Sequence, residues 1–60
     1  MVLHEAKARA RQLPTADLVH HERRLRRRYG ELTAGGRTYW LAAREVLAER
    51  GVRTPQVRRA

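Results

Sequence analysis

Three observations predict an all-α fold for this chain of 60 residues, a helical hairpin with an additional N-terminal helix. Apolar residues recur at three- and four-residue intervals in three separate stretches. Pro14 parts the first stretch from the second, and the Gly35–Gly36 pair parts the second from the third. Gly51 then closes the third, ahead of a short run without a periodic face.

The first helix is predicted over about 2–13, where Val2, Leu3, Ala6, Ala10 and Leu13 fall within about a third of the helical circumference. It ends at Pro14, which biases Leu13 away from helical angles. Thr15 is the expected N-cap of helix two, with Asp17 in the first turn favouring the positive end of the dipole. Helix two is predicted over about 16–34. Leu18, Leu25 and Leu32 stand seven apart with Tyr29 between them, all within about 60° on the wheel, like one side of a two-helix seam. Gly30 interrupts it at a cost of about 1 kcal/mol, but Leu32 keeps phase, so the reversal is assigned to Gly35 and Gly36. Helix three is predicted over about 37–50, with Gly51 as C-terminal cap. Its apolar arc, Tyr39, Trp40, Ala42, Ala43, Val46 and Leu47, covers nearly half the circumference, too wide for one partner helix. The domain is thus 1–51, a three-helix bundle or a hairpin dimer, and 52–60 a flexible basic tail. In size and hairpin plan the chain is similar to small helical dimers of the Rop type, with no motif shared.

A chain of this length buries only about 60% of the surface its unfolded form exposes, so small domains lean on staples or partners. Cysteine is absent, which excludes disulfides, thiolate metal sites and cysteine nucleophiles and leaves a homodimer or a protein partner as the remedy. The opening residues are too charged for a secretory signal, and no apolar run approaches a membrane span. The reading is a soluble cytoplasmic protein. Of the 14 basic residues only Lys7 is not arginine, while Ile, Phe, Asn and Ser are absent. That bias is what GC-rich bacterial codon usage produces, and it competes with selection as the origin of the arginines.

A net charge of +8 is the footprint of a polyanion binder. Residues 20–30, HHERRLRRRYG, concentrate it. On the wheel Arg23, Arg24, Arg26, Arg27 and Arg28 spread from about 80° to about 280° from Leu18, coating the whole solvent side. Glu22 can pair with Arg26, and Arg27 with Glu31, at four-residue spacing. Such a surface suits sequence-blind contact with DNA or RNA backbones. The expected phosphate contacts are Arg23, Arg24, Arg27, Arg28, Arg53, Arg58 and Arg59, and the alternative is a merely solvated face. The core or interaction face is Leu18, Leu25, Tyr29, Leu32, Tyr39, Trp40, Ala43, Val46 and Leu47.

Glu22 lies beside the leucine stripe and reads as a boundary residue whose head reaches solvent, with a register-setting ion pair as the alternative. TAGG before helix three suggests a helix-turn-helix, but Glu45 and Glu49 on its outer side would face phosphates badly. Tyr39 and Trp40 read as core in preference to base-stacking platforms. His20 and His21 diverge by about 100° and His4 has no HxxxH partner, so no metal or cofactor is expected. Without a serine or cysteine nucleophile, a phosphate loop or a carboxylate pair in a pocket, neither enzyme activity nor a small-molecule substrate is expected. The function read from sequence is a small non-enzymatic accessory protein gripping nucleic-acid backbone. The alternative is a helical interaction module that self-associates or docks an acidic protein.

Overall fold

Because the ring of Pro14 disfavours helical angles at Leu13, one helix closes at Arg11 and the next opens at Thr15. The computed structural model describes residues 2–55, with α1 (Leu3–Arg11), α2 (Thr15–Arg27), a single 3-10 turn (Tyr29–Glu31) and α3 (Ala34–Glu49). No strand occurs among the described residues. The Cα radius of gyration, 10.7 Å, matches the roughly 10 Å of a compact domain of this length.

The end of helix two departs from the leucine spacing. α2 stops at Arg27, well before Ala34, and the backbone leaves helical angles at Arg28 (φ −108°, ψ 21°). Tyr29–Glu31 tighten into the 3-10 turn and Leu32 is extended, so residues 28–33 make the reversal. Thr33 is the physical reason that Gly35 and Gly36 do not. Its hydroxyl accepts the Gly36 N–H at 3.1 Å, which caps α3 and makes both glycines part of its first turn. Helix three therefore begins at Ala34, and TAGG is a cap and a helix start, not the turn of a helix-turn-helix. Thr15 is not a cap either. Pro14 takes the N-cap position, and the Thr15 hydroxyl instead receives Arg50 at 3.2 Å.

Gly51 ends α3 as its sequence suggests, at φ 80°, where a side chain would be strained. The Gly51 N–H bonds the Ala48 carbonyl and the Val52 N–H the Leu47 carbonyl, the paired pattern of a Schellman close. Val52 then packs on the core, and Thr54 accepts a hydrogen bond from Arg44 Nε at 3.0 Å. The expected loose tail is thus anchored at its start, while residues 56–60, with Arg58 and Arg59, lie outside the described residues.

α3 is the central element and packs against both α1 and α2. Its buried Ala43, Val46 and Leu47 cluster with Ala10 of α1 and Leu18 of α2, and Ala6 and Ala42 are buried as well, a core of mostly short side chains suited to close helix approach. Of the predicted leucine seam only Leu18 is fully buried; Leu25, Tyr29 and Leu32 are half-buried, because α2 has ended before two of them. Polar ties hold α1 to the last turn of α3. Glu49 accepts Arg11 Nε at 3.2 Å and Nη2 at 2.9 Å, with Lys7 Nζ at 3.3 Å. Arg50 donates to the Leu13 carbonyl at 2.8 Å and the Arg11 carbonyl at 3.1 Å, satisfying orphan carbonyls at the end of α1.

Candidate nucleic-acid interface

α2 presents two flanks with different chemistry. One carries Glu22 and Arg26 toward α3. Glu22 is 2% exposed, so it is no boundary residue. Its Oε2 accepts the Trp40 indole N–H at 3.1 Å, and Arg26 Nη1 stands 3.6 Å from Oε1. The i,i+4 pair expected between them therefore forms, and it is the inner wall of an aromatic ladder. Trp40 meets Tyr29 edge-on at 5.0 Å between centroids. Arg44 lies 4.8 Å over the Trp40 ring and Arg37 5.2 Å over the Tyr29 ring. Trp40 is core, as its place on the wheel implies.

The other flank brings His21, Arg24, Leu25 and Arg28 together with Leu32 and Tyr39 around a cleft of about 330 Å³. Leu25, Leu32 and Tyr39 are its apolar residues, and Arg24 and Arg28 are exposed at its rim. Arg23 and Arg27 stand between the two flanks and are exposed.

The fold thereby sorts its cations. Lys7 and Arg11 hold Glu49, Arg26 holds Glu22, Arg37 and Arg44 cover aromatic rings, and Arg50 binds the α1–α2 joint. Arg23, Arg24, Arg27 and Arg28 have no carboxylate partner among the described residues, and neither do Arg9 and Arg53. The pair expected between Arg27 and Glu31 is absent, because the helix ends between them. Arg24, Arg26 and Arg27 occupy the last turn of α2, where cations suit the negative end of the dipole. Sequence reasoning missed the structural arginines because their partners are 35–39 residues away or are backbone carbonyls. It missed the Thr33 cap because the phase of Leu32 outweighed it.

The Glu49 carboxyl is held below its usual range, by the hydrogen bond from Arg11 first and then by that from Lys7. No group of three or more His, Asp or Glu side chains is placed to hold a metal among the described residues. The adjacent His20 and His21 rings stand 6.3 Å apart, edge to face. Among the described residues no helix is long and apolar enough to cross a membrane.

No family model matches the sequence, and no curated protein and no solved structure matches it either.

Proposed function

We propose that this chain is a small non-enzymatic accessory protein that contacts DNA or RNA through the phosphate backbone with little sequence preference. One observation carries the reading. Arg23, Arg24, Arg27 and Arg28 are exposed side by side with no ion-pair partner among the described residues, while the fold employs most of the other cations described. Like charges three and four residues apart on one helix repel by a few tenths of a kcal/mol per pair. A phosphate backbone relieves that repulsion and releases counterions. Arg53 beside α3, and Arg58 and Arg59 beyond the described residues, extend the basic surface in sequence.

The test is a salt titration of binding to random duplex DNA and structured RNA, with the triple variant Arg23→Glu, Arg24→Glu, Arg27→Glu. Affinity is expected to fall for every sequence alike, and the logarithmic salt slope to drop by about 3 on duplex DNA. Unchanged binding rejects the reading. A second reading, a self-associating interaction module, is favoured by Leu41, 43% exposed on α3 beside a hollow of about 600 Å³. It expects a dimer whose stability rises with protein concentration, and a sedimentation experiment showing only monomer removes it.

A further inference from the structure

We propose that the cleft between α2 and the start of α3 is a single-strand site. In it one nucleobase packs on Leu25, Leu32 and Tyr39 while the adjoining phosphate is gripped by Arg24 and Arg28. This rests on the nucleic-acid reading above and adds which form of nucleic acid the chain prefers.

His21, Arg24 and Leu25 come to the cleft from one flank of α2, Arg28 and Leu32 from the reversal and Tyr39 from α3. No carboxylate is among them, and neither arginine has an ion-pair partner among the described residues. The charge of the site is therefore uncompensated, and its complement is an anion with an apolar body. Its volume, about 330 Å³, stands at the small end of ligand pockets, roughly 300–1,000 Å³. That admits one flat ring system with its attached group and excludes a folded segment. Arg24 in the last turn of α2 and Arg28 at its C-terminal cap line the same cleft, so one phosphate seated at its mouth meets both guanidinium forks.

Two further hollows among the described residues lack this combination. The one beside Leu41 carries Glu45 on its wall, and the one beside Thr38 holds Arg37 already stacked on Tyr29. Duplex nucleic acid stacks its bases inside and offers the cleft nothing but phosphate, so it engages Arg23 and Arg27 without filling the apolar floor. A single strand offers base and phosphate together, and base–aromatic stacking tolerates any sequence.

The experiment compares a labelled oligothymidylate with a duplex of equal charge by fluorescence anisotropy, using the full chain and two variants. Tyr39→Leu keeps an apolar side chain against the core but removes the ring. Leu25→Gln, at a half-exposed position, spoils the floor without touching a buried residue. The expected result is a single-strand preference of about tenfold that either folded variant abolishes while duplex affinity stays put. Circular dichroism establishes which variants are folded. Equal affinity for both forms, or a preference that survives both substitutions, overturns the single-strand site while salt-dependent duplex binding leaves the broader reading standing. Failure to bind either form overturns both. Displacement of the oligonucleotide by a Leu-Glu copolymer that senses Tyr39→Leu equally would reassign the cleft to an acidic protein.

Discussion

The bond from Trp40 to Glu22 gives the sharpest test of how this small core is held. The donor and acceptor are 3.1 Å apart, with Trp40 7% and Glu22 2% exposed. Trp40→Phe removes the donor and leaves a buried carboxylate oxygen without its hydrogen bond. A bond to a charged group is worth about 1.5–3 kcal/mol, and Arg26 remains beside the other oxygen, so a loss of about 2 kcal/mol is expected. Glu22→Leu strands the indole N–H and the Arg26 head together, at a similar cost. Making both changes removes both ends of the bond. The double variant should be better than the sum of the singles by about 1–2 kcal/mol. Because a single small core supplies only about 3–5 kcal/mol, each single change should consume much of the stability and lower the melting point by roughly 10 °C. Urea unfolding followed by far-ultraviolet circular dichroism measures the cycle, since the only tryptophan is among the residues replaced. Strict additivity, within about 0.5 kcal/mol, would refute the claim that these two buried groups depend on each other.

Other perturbations have equally definite outcomes. Arg50→Lys should destabilise by about 1–2 kcal/mol in chemical denaturation, almost as much as Arg50→Ala, because an ammonium cannot span two carbonyls and a hydroxyl as the fork does. Glu49, held low by Arg11 and Lys7, binds fewer protons folded than unfolded near its titration. Its contribution is therefore complete at neutral pH and disappears as pH falls through the ordinary carboxylate range to the lower folded value. Glu49→Gln should flatten the acid limb of a melting-temperature profile. Gly35→Ala, in the open first turn of α3, should stabilise by about 0.5–1 kcal/mol, whereas Gly51→Ala, at φ 80°, should destabilise by about 1–2 kcal/mol in thermal melts.

Much of the plan was legible in local signals. Pro14 and Gly51 act through their own backbones, so their effects at Leu13 and at the end of α3 are readable from the sequence. The wide apolar arc of α3 announced its central place, and Arg23, Arg24 and Arg27 are exposed as the wheel puts them, whereas Arg26 turns in to Glu22 and Arg28 lies past the helix end. The error at α2 came from trusting periodicity across Gly30: Leu32 matches the heptad by spacing but is extended in the fold. A threonine cap competes with helix continuation locally, and the capped arrangement also sets Tyr29 against Trp40. The burial of Glu22 was not legible, because the wheel gives its angle but not the partner indole 18 residues on. Likewise the cleft is made by α2 and Tyr39 meeting across the reversal, which no single stretch encodes.

The last turn of α3 has a mechanical consequence. Glu49 and Arg50 together clasp α1 and its exit, across separations of 35–39 residues. The first helix and the end of the third must therefore come undone as one cooperative unit. The arginine-bearing end of α2 is fastened separately, through Arg26 and buried Glu22 to the Trp40 indole. α3 is thus pinned in each half by its own polar tie, one to α2 and one to α1, so that losing either leaves the other helix still docked.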